Sequence, residues 1–267
     1  MAKALKVVDA HAHLGKCCVF DLASTEEALL ARMDESGIDA TIVQPYPGAK
    51  NAAETHDRIA ELCAKYPERF FGLASVSPHG DRQAYHREVE RCVRALHFVG
   101  VKLHTIGHGV NPLSEDGQYV FSTAAELGIP VMVHTGPGMP FALPSLCIPA
   151  AQKHPDLKII LAHAGFAVFS AEAQVAASVC RNLYLETSWC IGEDIRWMIS
   201  TIGTDRVMMG SDLPSNVPVE VAKYKALNLD REVYDQVMGG NAIEVFNLPM
   251  QGEYVHTARG AQSQAGL

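Results

Sequence analysis

Short apolar runs recur along the chain, and segments with helical spacing separate them. The runs cover residues 7–14, 40–45, 70–76, 100–105, 130–135, 158–163, 183–187 and 207–212. Most are apolar throughout rather than alternating, as expected of parallel strands covered on both faces. Between them, Ser24-Thr25-Glu26-Glu27 reads as a capping box before a helix over 28–33, with Gly37 as its C-cap. Segments 52–65 and 81–96 carry apolar residues at three- and four-residue spacing. Segment 117–127 ends at Gly128, and Pro130 opens the fifth run. Segments 172–180, 194–202 and 231–246 complete the set. Strand–helix alternation repeated eight times predicts an α/β fold, a closed (β/α)8 TIM barrel as one domain over 1–250. The last stretch, 251–267, is rich in Gln, Gly, Ala and Ser and reads as a flexible tail.

An open doubly wound sheet is the competing architecture. It would carry a glycine-rich phosphate turn after an early strand. No GxGxxG or Walker pattern occurs, which argues against nucleotide binding, and no Gly-x-Ser-x-Gly nucleophile elbow occurs either.

Composition narrows the class. The chain has 267 residues, 48% hydrophobic and 19% charged, enough for a sizeable core. Its formal net charge of −8 and the lack of any Lys/Arg-rich run argue against a nucleic-acid partner. No apolar stretch approaches the roughly 18 residues of a membrane span, and the N-terminal segment lacks the apolar core of a signal peptide. Seven cysteines, with no CxxC pair, suit reduced thiols in a cytoplasmic protein better than a disulfide framework. Cys63 and Cys92 read as core filler. Cys17 and Cys18 lie near the end of the first run, with no partner spacing to give them a role.

The chemistry concentrates where the runs end. The first ends Asp9-Ala-His11-Ala-His13, and side chains two apart on a strand share a face. The fourth contributes Lys102 and His104, the fifth His134, the sixth His163 and the eighth Asp212. Five of the twelve histidines fall at these ends. Barrel active sites are assembled from such positions on several strands. Imidazoles with one carboxylate suit a borderline divalent ion, Zn²⁺ first and Mn²⁺ second. Any one of these histidines alone reads equally as a hydrogen-bonded structural residue; their co-occurrence points to metal. His56, His79, His86, His97, His154 and His256 carry no such pattern and read as surface or packing residues.

The strings Val8-Asp-Ala-His-Ala-His13, Gly100-Val-Lys-Leu-His104, Ile129-Pro-Val-Met-Val-His-Thr-Gly136, Leu161-Ala-His-Ala-Gly165, Met209-Gly-Ser-Asp-Leu-Pro214 and Gly240-Asn-Ala-Ile-Glu-Val-Phe246 resemble the amidohydrolase superfamily. They are similar to its amidohydrolase-related branch, which includes aminocarboxymuconate semialdehyde decarboxylase-like enzymes. The resemblance covers about 5–248. It implies that His11, His13 and Asp212 bind one metal and that His134 is a ligand in either version of the site. In binuclear members a carboxylated lysine in the position of Lys102 bridges two ions, with His134 and His163 on the second. In mononuclear decarboxylase-like members the equivalent of His163 transfers a proton. All six binuclear positions are filled, so one or two ions are compatible with the sequence. Lys102 reads equally as a cation paired with a substrate carboxylate or with Asp212.

A bound divalent ion lowers the pKa of its water from 15.7 toward about 7. Asp212 can then accept the proton and pass it to a leaving group, while the metal or His163 polarises the substrate carbonyl. Asp9 is placed one layer deeper, either beneath a ligand histidine or satisfied by backbone. Phe141, Phe166, Trp189 and His104 are the candidate substrate contacts, although each aromatic taken alone reads more readily as packing. Lys16 and His108 are the nearest basic loop residues. The leading expectation is a metal-dependent hydrolase of an amide, lactone or ester-like bond in a small molecule. The alternatives are non-oxidative decarboxylation of an unsaturated or aromatic acid, and a non-catalytic metal-binding protein. A homo-oligomer is compatible with the sequence.

Overall fold

A computed structural model describes residues 6–47 and 51–250. The strands are β1 (Val8–Lys16), β2 (Ala23–Ser24), β3 (Ala40–Pro45), β4 (Phe70–Ala74), β5 (Gly100–Leu103), β6 (Val131–His134), β7 (Ile159–Ala162), β8 (Leu183–Glu186) and β9 (Val207–Met208). All but β2 pair in parallel, in the order β1-β3-β4-β5-β6-β7-β8-β9. The ring closes where the chain beyond β9 meets β1. Ala10 N donates to Met209 O at 3.1 Å, Asp212 N donates to His11 O at 2.6 Å, and Ala12 bridges Asp212 in parallel. The fold is therefore the (β/α)8 barrel that the alternation predicts. β2 is a short antiparallel addition to the end of β1.

The helices are α1 (Glu26–Ser36), α2 (Ala52–Lys65), α3 (Arg82–Arg94), α4 (Thr105–His108), α5 (Glu115–Leu127), α6 (Ile148–Lys153), α7 (Ser170–Val179), α8 (Gly192–Ile202), α9 (Val217–Ala226), α10 (Arg231–Asp235) and α11 (Asn241–Val245). Four details depart from the sequence reading. The cap of α1 is Thr25, which accepts from Ala28 N at 3.3 Å, while Ser24 turns away to Tyr46 Oη. α6 is short and α9 opens on Val217-Pro218, so neither presents a clean apolar stripe. α4 is a single turn at the end of β5. Finally, 231–246 is not one regular helix: α10 and α11 flank a π-helical segment, Gln236–Gly240. Gly239 there lies against the backbone carbonyl of Lys6, where a Cβ would not fit.

Ile42, Leu73, Met132, Ile160 and Met208 fill the interior, and Ala242, Val245 and Phe246 close its floor. A second apolar layer lies between strands and helices, including Val101, Leu103, Val133, Leu161 and Leu185. All seven cysteines carry free thiols; Cys92 is buried and Cys63 half-buried. Among the described residues no helix is long and apolar enough to cross a membrane. The tail 251–267 and His256 lie outside the described residues.

Candidate metal centre

The register of β1 shifts between Asp9 and Ala12, and this irregularity organises the site. Val8 and Ala10 pack inside the barrel, and beyond the shift His11 and His13 point into the mouth. Asp9 is consequently not stacked beneath the histidines, as strict alternation had implied. Its Oδ1 accepts from His11 N at 3.1 Å and from Ser211 N at 2.9 Å, and its Oδ2 accepts from Ser211 Oγ. It binds backbone and serine, not an imidazole. Burial pushes its carboxyl up to about 7.

His11 Nε2, His13 Nε2 and a carboxylate oxygen of Asp212 lie within 4.8 Å of one another. His13 Nδ1 donates to Pro45 O at 3.1 Å, and the ring stacks on Tyr46 at 4.6 Å. With Nδ1 committed to that carbonyl, His13 turns its Nε2 toward Asp212 Oδ1, 3.1 Å away. His11 Nδ1 donates to Glu186 Oε2 at 2.7 Å, so its Nε2 lone pair faces the same oxygen at 3.6 Å. Two imidazole nitrogens and a carboxylate oxygen thus converge in a buried site, with Lys102 Nζ 3.0 Å from His11 Nε2, a grouping of acceptors that a cation stabilises. Ligand atoms about 2.0–2.2 Å from one ion and at right angles lie about 3 Å apart, so this donor set fits a divalent ion.

Asp212 has φ +68°, a left-handed conformation costing about 1–3 kcal/mol in a non-glycine residue. Its Oδ2 accepts from Trp189 Nε1 at 2.9 Å.

Glu186 was not foreseen from the sequence. It is fully buried beneath His11 and His163. Oε1 accepts from Ser188 N at 2.6 Å, and Oε2 accepts from His163 N at 3.1 Å and Ser188 Oγ at 3.0 Å besides His11. Gly210 makes the room: a Cβ there would strike the Glu186 carboxylate and the His11 side chain. The signal lay in Leu183-Tyr-Leu-Glu186, a carboxylate at the end of an otherwise apolar run.

These bonds set the polarity of the remaining imidazoles. Ser188 Oγ gives its proton to Glu186, so it accepts from His163 Nδ1, 2.8 Å away. His163 Nε2 then accepts from His134 Nδ1 at 3.2 Å. That leaves His134 Nε2 as a buried lone pair with no hydrogen-bond partner among the described residues. Burial depresses His163 to about 3 and His134 well below the usual imidazole range, so both rings are neutral near pH 7.

The sequence of residues 8–248 matches the amidohydrolase family of the Amidohydro_2 type. The chain belongs to that family. Among curated amidohydrolase relatives, a gamma-resorcylate decarboxylase of Polaromonas sp. (strain JS666) is 26% identical over 290 residues, 85% of this chain and 89% of the relative. The 2-amino-3-carboxymuconate-6-semialdehyde decarboxylase of Dictyostelium discoideum is 23% identical over 77% of this chain and 68% of its own length. Among solved structures, 5-carboxyvanillate decarboxylase from Sphingomonas paucimobilis superposes with a TM-score of 0.75 at 19% identity, covering 92% of this chain and all of that one. A dihydroxybenzoic acid decarboxylase from Polaromonas sp. JS666, solved with manganese and the inhibitor 2-nitroresorcinol, gives 0.73 at 19% over 92% and 98%.

The other amidohydrolase positions separate into two groups. Lys102 is buried and its Nζ lies 3.0 Å from His11 Nε2; among the described residues it makes no other hydrogen bond and no ion pair within 4 Å of Asp212. Burial lowers its pKa to about 8. His104 stacks on His134 at 4.3 Å, and its Nδ1 accepts from Gly107 N, capping α4. Phe166 lies 4.6 Å from the His163 ring and stacks on Trp189 at 6.3 Å, in a seat left open by Gly136. These residues converge on the mouth. Phe141 is half-buried in the loop after β6, Lys16 is exposed, and neither joins the cluster through a hydrogen bond or ring contact. His108 sits one turn beyond His104, whose backbone N–H it accepts at 3.4 Å. His56 is buried, donating to Glu88 and accepting from Ser75 N, so it is a packing residue.

Proposed function

We propose that this chain is a divalent-metal-dependent, non-oxidative decarboxylase of a hydroxylated aromatic carboxylic acid. The observation that carries the reading is the tight triad of His11, His13 and Asp212 beside a stacked aromatic pair, in a chain whose relatives of near-full length are decarboxylases. The reaction releases CO2 and replaces the carboxylate by a proton on the ring carbon.

His11, His13 and Asp212 would hold the ion, with His134 Nε2 as the nearest uncommitted donor. Bound there, the ion supplies a Lewis acid that neutralises the substrate's anionic oxygens. Manganese is the first ion to test, because a structurally similar decarboxylase was solved with it; zinc suits the imidazole donors equally. Glu186 and the Pro45 carbonyl fix the tautomers of His11 and His13, so no proton must leave those lone pairs. Phe166 and Trp189 provide a flat wall for an aromatic ring. Trp189 holds Asp212 by one oxygen and leaves the other directed toward His13 and His11. The neutral His163–His134 pair offers a buried route for the proton that returns to carbon.

Hydrolysis uses the same ligands. The aromatic wall and the decarboxylase relatives favour carbon–carbon cleavage over it. The test is mass-spectrometric detection of CO2 from the manganese- or zinc-loaded protein with hydroxybenzoates, 2,6-dihydroxybenzoate first, run in D2O. One CO2 and one ring deuterium per turnover are expected. Hydrolysis of an amide or lactone panel without CO2 from any of the acids would overturn the reading.

A further inference from the structure

Trp189 holds Asp212, yet its own backbone is strained at φ +66°. A residue in that conformation persists only when its surroundings fix it. What fixes it lies outside the mouth, on α9. Trp189 N donates to Glu220 Oε1 at 2.9 Å. Asn216 Nδ2 donates to the same oxygen at 3.0 Å and to Ser211 O at 2.9 Å. Glu220 and Asn216 are both buried, and Lys223 closes on Glu220 Oε2 at 2.6 Å. One turn of helix thus grips the loop after β8 through Trp189 and the loop after β9 through Ser211, the residue preceding Asp212.

We infer that the Asn216–Glu220 pair is a positioning device: it sets the indole of Trp189 against Asp212 and so fixes the direction of the Asp212 carboxylate. Neither residue touches the cluster at the mouth. Both act through Trp189 and Ser211. The inference rests on the role proposed for Asp212, but its physical core is the fixed indole, which can be read without turnover. The chain has two tryptophans, Trp189 and the exposed Trp197. Trp197→Phe therefore leaves Trp189 as the sole reporter.

In that background, Glu220→Ala is expected to shift Trp189 emission to the red and lower its anisotropy, because the indole loses its anchored backbone. Turnover of a decarboxylated substrate falls about 10–100-fold in kcat with little change in KM, the range typical of groups that orient a metal ligand. Glu220→Gln keeps an oxygen acceptor for Trp189 N and is expected to restore both signals. If Glu220→Ala does not fold, Asn216→Ala is measured instead, with a smaller change in the same direction. Unchanged Trp189 emission and anisotropy in the folded variant overturns the inference, whatever the activity. Altered emission with undiminished turnover overturns the inference too, since a displaced indole would then leave the Asp212 carboxylate working; the role of Asp212 itself is tested separately by Asp212→Asn.

Discussion

Glu186 Oε2 and His11 Nδ1 are 2.7 Å apart, and both side chains are wholly removed from solvent. This carboxylate accepts a hydrogen bond from one imidazole and, through Ser188, sets the polarity of two others. An amide cannot accept all four of its donors. Glu186→Gln is therefore expected to weaken divalent-ion binding about 10–100-fold. Competition against a metallochromic chelator measures it, and undiminished affinity would refute the role.

Asp212 is placed to act as well as to bind. Asp212→Asn keeps the shape and the oxygen facing Trp189 Nε1 but removes the charge. Turnover is expected to drop at least about a hundredfold while the circular dichroism spectrum stays unchanged. A variant with the wild-type rate would remove Asp212 from the chemistry.

Lys102 contends for a ligand lone pair. Its Nζ is on His11 Nε2, and with a pKa near 8 it is largely an ammonium at neutral pH. Lys102→Met is expected to keep one ion per chain and to bind it at least as tightly. A fall from two ions to one on the same substitution would instead make Lys102 a bridge between metals.

A pH dependence belongs to the outer layer. Burial pushes Glu88 up, but hydrogen bonds from His56 and Arg91 win and hold it down to about 2, against 4.5 when exposed. A depressed carboxyl stabilises the fold above its unfolded pKa and loses that contribution as pH falls through the folded value. The Tm advantage of the wild type over Glu88→Gln should be full above pH 4.5 and shrink toward pH 2. A difference independent of pH across that window would contradict it.

Much of this was legible in the sequence because the chemistry follows the strand ends. The apolar runs located the barrel, and His11, His13, His134, His163 and Asp212 do converge at its mouth. What escaped was set by events with no local signature. The register shift in β1 decided between the two readings of Asp9, leaving it on backbone and Ser211 as one of them had it. The importance of Glu186 depends on the space left by Gly210, 24 residues further along. α9, which anchors Trp189, lacked a clean apolar stripe, so neither the helix nor its buried Glu220 stood out.

The claim beneath all of this is that His11, His13 and Asp212 share a cation. Elemental analysis of protein loaded with manganese or zinc and then desalted tests it most directly. About one divalent ion per chain is expected in the wild type, with that ion lost from both His13→Ala and Asp212→Ala. A folded wild type that keeps no stoichiometric ion, or variants that keep it undiminished, would contradict the account.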